Sequence, residues 1–147
     1  LPRWLLAAAA WSAATTVAAP ITVAALTTSV FIATGGDGAA TWGTAAATLL
    51  GVIGYGGLFV LAGVVFRRAL VWGLIYLFIW ESFVARVGQG AARLSIGSYP
   101  TSVLADASGI ELPMADRPAA LAVLVPLAVA IAAIAWTGRR LNRIDVA

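Results

Sequence analysis

The sequence predicts an all-α protein: a polytopic membrane helical bundle of about four transmembrane helices, with a short external helix before the last. Composition is the first observation, since 62% of the 147 residues are apolar and 10% are charged, where soluble proteins have about 25% charged residues. The second is a mean hydropathy of +0.99. The third is the gathering of apolar residues into runs, because a helix that crosses a bilayer needs about 20 of them. The runs cover about 4–34, 44–66, 69–87 and 119–137, within one transmembrane domain of residues 1–147.

The first run is the longest, and at about 30 residues it exceeds what one upright helix needs. It contains Pro20, so we expect a tilt, a kink or an extension into the membrane interface. A signal peptide is the competing interpretation, because Arg3 precedes an alanine-rich apolar stretch. The apolar run continues well past any cleavage site, which favours a span. Because the sequence begins with Leu1, we expect the natural N-terminus to lie upstream.

The second run is rich in glycine and includes Gly51, Gly54, Gly57 and Gly63. Small residues allow helix backbones to approach closely in lipid, so these positions predict tight helix packing. A flexible hinge is the alternative. A phosphate-binding loop is excluded, because Gly54 and Gly56 lie in an apolar run with no lysine after them.

The third run contains Glu81, and an acidic residue at the centre of a membrane helix costs roughly 2.5 to 3.5 kcal/mol. A rise of 1.5 Å per residue places Glu81 roughly 18 Å from Ala69, in the outer half of the membrane core. We predict an intramembrane polar or gating role for Glu81, Tyr76 and Arg86. Three interpretations of Glu81 stay open: a structural role, by pairing with Arg86 or by a hydrogen bond to a neighbouring helix; contact with a substrate or a proton; and a gate.

An external segment of residues 88–118 separates the third and fourth runs. A loop of about 30 residues without structure is unusual in a compact domain, so we expect a short external helix there. Ser98-Tyr99-Pro100 would begin this helix and Gly109 would end it. The fourth run follows and contains Pro126, which predicts a local kink.

The arginines predict the orientation of the helices, since cytoplasmic loops carry an excess of basic residues. With four spans, three of the nine arginines fall on one side, at Arg86, Arg93 and Arg117. The other six fall on the opposite side, at Arg3, Arg67, Arg68, Arg139, Arg140 and Arg143. Both termini are therefore predicted to be cytoplasmic, and the even number of spans agrees with that orientation.

The residue types that the sequence lacks exclude several functions. It contains no His, no Cys and no Lys. It therefore has no imidazole base, no thiolate or cysteine-ligated metal, no Schiff base, and no P-loop lysine for ATP hydrolysis. We predict a chain that is not an enzyme and has no cofactor. The net charge of +3 does not indicate a nucleic-acid partner, because the arginines lie between apolar runs, as in a protein whose partner is the lipid bilayer.

A family resemblance is carried by several short motifs. They are Tyr55-Gly56-Gly57-Leu58-Phe59, the pair Arg67-Arg68, Tyr76-Leu77-Phe78-Ile79-Trp80-Glu81, Arg93-Leu94-Ser95-Ile96, and Arg139-Arg140-Leu141-Asn142-Arg143. On these residues the chain resembles the ABC-2 type transporter permeases, the membrane subunits of many bacterial ABC exporters. The resemblance covers about residues 45–147 by these motifs and the first run by hydropathy only, and the chain then corresponds to the C-terminal four-span portion of such a permease.

The resemblance implies a permease subunit of an ATP-driven exporter in the bacterial inner membrane. Such permeases usually have six spans with both ends cytoplasmic. They pair as homodimers or heterodimers and are energised by separate ABC ATPase subunits. Because only four spans are predicted here, we expect the sequence to correspond to part of such a unit. The lack of lysine agrees with an energy source in another chain, and the substrate is not indicated.

Two other functions compete with this interpretation. A small structural subunit of a larger membrane complex would suit the glycine-rich packing faces. A small proton-coupled multidrug exporter, built as a four-helix dimer, would need an intramembrane glutamate that faces a shared pocket. Glu81 near the outer side is poorly placed for that second role.

Overall fold

The computed structural model describes residues 3–79, 95, 97–109, 111 and 118–143. Within these residues the chain forms five helices and no strand: α1 (Arg3–Ala33), α2 (Gly38–Val65), α3 (Ala69–Ile75), α4 (Ser98–Ser108) and α5 (Ala119–Arg143). Three segments are long and apolar enough to cross a membrane, over Trp4–Ala33, Gly38–Val65 and Ala120–Leu141. The prediction of an all-α membrane bundle is therefore confirmed.

Five hydroxyl groups of α1 donate to its own backbone, which allows a helix with many Ser and Thr residues to lie in lipid, whereas the buried Thr15 hydroxyl has no partner among the described residues. Thr16 Oγ1 donates to the Ser12 carbonyl at 2.7 Å, and Thr27 Oγ1 donates to the Val23 carbonyl at 2.6 Å. This bonding to the preceding turn needs no polar neighbour. The 31-residue helix continues through Pro20, and its length of about 46 Å exceeds the ~30 Å hydrocarbon core.

The turn between α1 and α2 is set by glycine and by a capping carboxylate. Gly35 and Gly36 have φ values of +66° and +96°, which favour glycine. The Gly36 N–H donates to the Phe31 carbonyl at 2.9 Å and closes α1 in a Schellman arrangement. Asp37 caps α2, because its Oδ1 accepts from the Ala39 N–H at 2.9 Å. The chain therefore reverses direction within a short connection.

α2 is the central helix and packs against each of the other four described helices. A Cβ built on Gly57 would lie 2.7 Å from the Ala130 Cα of α5, so the two backbones are in contact there. On the α1 side, Trp11 Nε1 donates to the Ile53 carbonyl at 3.2 Å. Apart from Pro100 and Pro126, the buried apolar side chains of the described helices are all alanines. The interior is therefore built from close backbone contacts, as is common in membrane bundles.

The helices alternate in direction, so their arginine-bearing ends lie together. Trp4 at the start of α1 contacts Gly138 near the end of α5. Phe66, directly after α2, shares a cavity with Trp136 and Arg140 of α5. We call this end of the bundle the arginine end, and the positions there are Arg3, Arg67, Arg68, Arg139, Arg140 and Arg143. It is the end that the positive-inside rule assigns to the cytoplasm.

α3 covers only part of the predicted third span of residues 69–87. Its apolar helix begins at Ala69 and continues through a wider, π-helical turn to Ile79. A helix over residues 69–79 rises about 16 Å, roughly half of a membrane core. The rest of the predicted span, which includes Glu81, lies outside the described residues.

A short helix precedes the last span, as predicted, and α4 ends at Gly109, whose φ is +67°. It lies along α2, in the half of the bundle away from the arginine end. A Cβ built on Gly43 would lie 2.8 Å from the Ala107 Cβ, and Gly51, midway along α2, faces Pro100. α4 is therefore antiparallel to α2. Its first turn reaches the level of the middle of α2, deeper than a helix resting on an outer surface.

Candidate functional site: an apolar groove at the arginine end

The arginine end contains an apolar groove, which we call the α3–α5 groove. α3 and α5 form its walls, the C-terminal half of α2 forms its floor, and its volume is about 380 Å³. Leu58, Ala62 and Val65 lie along the floor, between Trp72 of α3 and Trp136 of α5. The volume of the groove falls within the range of about 300–1,000 Å³ that ligand sites commonly have. Apolar hollows of about 460 and 410 Å³ also lie between α1 and α2, so it is Arg140, and not size, that distinguishes the groove.

Gly73 allows α3, one wall of the groove, to pack closely against α2, its floor. A Cβ at this position would overlap the ring of Phe59, so glycine is needed for α3 to lie this close to α2. The rings of Phe66 and Trp72 are 5.8 Å apart and tilted by 33°, an arrangement that favours aromatic attraction. One glycine and one aromatic pair therefore position α3, and α2 is its main packing partner.

The other side of α5 is buried in the bundle. Thr137 on that side is 1% exposed, and its Oγ1 bonds within α5, donating to the Ala133 carbonyl at 2.8 Å. A Cβ on Gly138 would lie 2.9 Å from the Trp4 Cα, so α5 also lies close to the backbone of α1. Trp136 lines the groove and is 62% exposed. α5 therefore packs closely against α1 and forms one wall of the groove, and its Trp136 indole is also exposed on the outer surface of the bundle.

The polar groups of the groove are few. Tyr55 in the floor and Tyr76 in the α3 wall contribute phenol hydroxyls, and Arg140 contributes a positive charge. Among the described residues, no carboxylate lines the groove. Nor does that part of the chain contain a cluster of His, Cys, Asp or Glu that could hold a metal ion. The arrangement suits an apolar or amphipathic molecule with a negatively charged end.

The glycines singled out in the second run take different positions. Gly57 contacts the backbone of α5, and Gly51 faces Pro100 of α4 at an ordinary distance of 3.8 Å for a Cβ. Gly54 is buried. Gly63 is exposed, and a Cβ built there meets no described atom within 4 Å. Of Gly51, Gly57 and Gly63, Gly57 makes the closest approach to another helix, and Gly63 has free space beside it.

Tyr76 lies within the described part of the chain, and it lines the α3–α5 groove. The other two predicted polar or gating residues, Glu81 and Arg86, lie outside the described residues, so their roles stay predictions. Two acidic residues that the structure describes lie far from the groove. Asp37 caps α2 at the end opposite the arginine end, and Asp106 is exposed on α4.

The residues predicted to set the topology are at the arginine end, where Arg67, Arg68, Arg139 and Arg140 are exposed and Arg143 is the last residue of α5. Sequence reasoning assigned Arg140 only to topology and missed that it lines the groove with Trp136. The spacing of Trp136 and Arg140 indicated that their side chains are neighbours, because residues four apart lie next to each other on a helix surface. The spacing did not show which side of α5 faces α3.

Comparison with known proteins found no matching family model, no matching curated protein and no matching solved structure. The resemblance to ABC-2 type permeases therefore rests on the residues of the sequence alone. The arrangement of helices and the α3–α5 groove supply the structural part of the functional argument.

Proposed function

We propose that this chain is a membrane-spanning permease subunit of an ATP-driven ABC-2 type exporter, or the C-terminal portion of one. It lies in the bacterial inner membrane as a multi-pass protein with both termini in the cytoplasm. It pairs with a second permease and is energised by a separate ABC ATPase subunit. The sequence supplies no P-loop lysine of its own, so the chain transports without being an ATPase.

The observation that carries the proposal is the position of the α3–α5 groove at the arginine end. A permease that receives motion from a cytoplasmic ATPase needs a movable wall near its cytoplasmic face. α3 packs mainly on α2, and the described residues form no comparably extensive contact between α3 and α5. Movement of α3 therefore changes the width of the groove without breaking the contact between Gly57 and Ala130.

The mechanism follows from this arrangement and from the resemblance. Closure of the ATPase subunits pushes on the cytoplasmic ends of the helices, and two copies of the bundle rock to alternate access to a central path. Glu81, in the predicted outer half of the third span, stabilises the outer part of the path or its gate.

Co-purification from the native membrane tests the proposal. A tagged full-length protein is extracted in mild detergent, and its partners are identified by mass spectrometry. We expect an ABC ATPase subunit among them. Arg67→Glu at the arginine end should weaken its retention, whereas Asp106→Arg, a charge reversal at the opposite end, should not.

Two outcomes would contradict the proposal. One is a full-length protein that never retains an ATPase subunit. The other is retention of an unrelated membrane complex in fixed stoichiometry, which would indicate a structural subunit. Equal retention of the ATPase by the two charge-reversal variants would refute the assignment of the arginine end as its contact surface.

A further inference from the structure

Two clefts flank one pair of side chains at the arginine end. The first is the α3–α5 groove. The second, which we call the α5 cleft, has a volume of about 470 Å³, and its described lining residues all lie on α5: Ala132, Ala135, Trp136, Arg139 and Arg140. Trp136 and Arg140 line both clefts. α5 therefore presents an indole and a guanidinium between two largely apolar hollows.

A cation beside apolar clefts matches a molecule with an anionic head and apolar tails. The guanidinium of Arg140 offers N–H donors in a fork that matches phosphate oxygens. Trp136 and Trp72, on the two walls of the groove, are 62% and 53% exposed, and exposed indoles of membrane proteins lie at the level of the lipid headgroups. The phosphate of a phospholipid lies at the same level as these indoles.

We propose that Arg140, with Arg139 beside it, binds the phosphate of an anionic phospholipid from the surrounding bilayer. One acyl chain lies in the α3–α5 groove, and the other lies along the exposed face of α5 that carries Ala132 and Ala135. Basic pockets between transmembrane helices on the cytoplasmic side bind anionic head groups in this way. The site does not depend on the proposed transport function, because a chain that never meets an ATPase would still bind the lipid.

Charge complementarity favours a lipid over a second copy of this chain as the occupant. A symmetric contact at the arginine end would bring Arg139 and Arg140 of one copy towards the same residues of the other, and like charges in an interface are unfavourable. The described acidic residues lie elsewhere: Asp37 caps α2 and Asp106 is on α4, both in the other half of the bundle, and Glu111 lies two residues after Gly109, where α4 ends. They are therefore out of reach of such a contact.

The test measures lipid retention by the purified full-length protein. The protein is equilibrated with equal amounts of phosphatidylglycerol and phosphatidylcholine that carry identical acyl chains, and native mass spectrometry counts the lipids that remain bound. We expect preferential retention of phosphatidylglycerol by the unmodified protein. Arg140→Gln should lower that retention on the order of tenfold, the effect of one charge-assisted hydrogen bond.

Arg67→Gln is the matched control, because Arg67 is exposed at the same end but lines neither cleft. It removes the same charge and should change retention much less. If Arg140→Gln and Arg67→Gln lose the same amount of bound phosphatidylglycerol, the retention depends on general surface charge. That result would overturn the proposed site. Equal retention of the two phospholipids by the unmodified protein would overturn it as well.

A second pair of variants tests the acyl chain without changing charge. Ala62→Leu fills the floor of the α3–α5 groove and should lower retention of phosphatidylglycerol several-fold. Ala25→Leu, at an exposed position of α1, should not. If Ala62→Leu leaves lipid retention intact, no chain lies in the groove. If it changes only the number of protein copies per particle, the groove is an interface between copies, and the proposal fails.

Discussion

Gly57 of α2 and Ala130 of α5 are in backbone contact, since a Cβ on Gly57 would lie 2.7 Å from the Ala130 Cα and 3.2 Å from its carbonyl oxygen. Side chains do not approach a backbone this closely, so the position requires glycine. In lipid, close packing of this kind is a main source of helix association, because apolar side chains gain little by leaving acyl chains for each other. This contact, together with the contact between Gly138 and Trp4 of α1, therefore fixes where α5, and with it one wall of the groove, lies in the bundle.

Gly57→Ala is expected to lower the free energy of unfolding by about 2 kcal/mol, within the range for overpacking. The cost arises because the backbone of α5, and not a flexible side chain, must move. Gly63→Ala is the matched control on the same helix, where an added Cβ meets no described atom within 4 Å. It should stabilise by up to about 1 kcal/mol, since alanine is the better helix former.

The free energies of unfolding of Gly57→Ala and Gly63→Ala are measured in mixed detergent micelles and compared with that of the unmodified protein. The two substitutions should act in opposite directions. A loss of the same size in both would mean that the contact with Ala130 is not what makes Gly57 necessary.

Gly43→Ala is expected to loosen α4 from α2. Its Cβ would lie 2.8 Å from the Ala107 Cβ and 3.2 Å from Leu104 Cδ1, so α4 must shift outwards. The same substitution at Gly51, where the nearest atom of Pro100 is 3.8 Å from the new Cβ, fits without strain. Hydrogen–deuterium exchange should therefore accelerate across residues 98–108 in the first variant and stay unchanged in the second. Unchanged protection in both would refute the close seating of α4.

The fold was largely predictable from the sequence, because apolar runs and arginine positions depend on local composition. The bounds of α4 were predictable for the same reason, since Gly109 marks its end by a local conformation. The groove was not predictable. Helices that are apolar on all sides show no periodicity that tells which face meets a neighbour. The sequence therefore indicated glycine packing in α2 but not that Gly57 meets Ala130, nor that Arg140 borders a cavity.

Trp11→Phe is expected to weaken the contact between α1 and α2 by about 0.6 to 1 kcal/mol, the usual range for a hydrogen bond within a membrane bundle. The substitution removes the Nε1 donor to the Ile53 carbonyl, which is 3.2 Å away, and keeps an aromatic ring in place. Trp42→Phe is the control, because Trp42 is 78% exposed on α2. The free energy of unfolding in detergent should fall only in the first variant. A fall of similar size in both would assign the effect to the loss of indole surface.

Single cysteines test the orientation of the arginine end directly, because the sequence contains no Cys that would react in the background. Gly38→Cys places a thiol at the start of α2, where an added Cβ meets no described atom within 4 Å. Ala69→Cys places one at the start of α3, next to Arg67 and Arg68. In intact cells a membrane-impermeant maleimide should label the first variant and not the second, and permeabilised cells should show both labelled.

The reverse labelling pattern would place the arginine end outside the cell. That result would contradict the cytoplasmic orientation that the positive-inside rule predicts for this end. Labelling of both in intact cells would contradict a membrane-spanning α2, since that helix separates the two thiols.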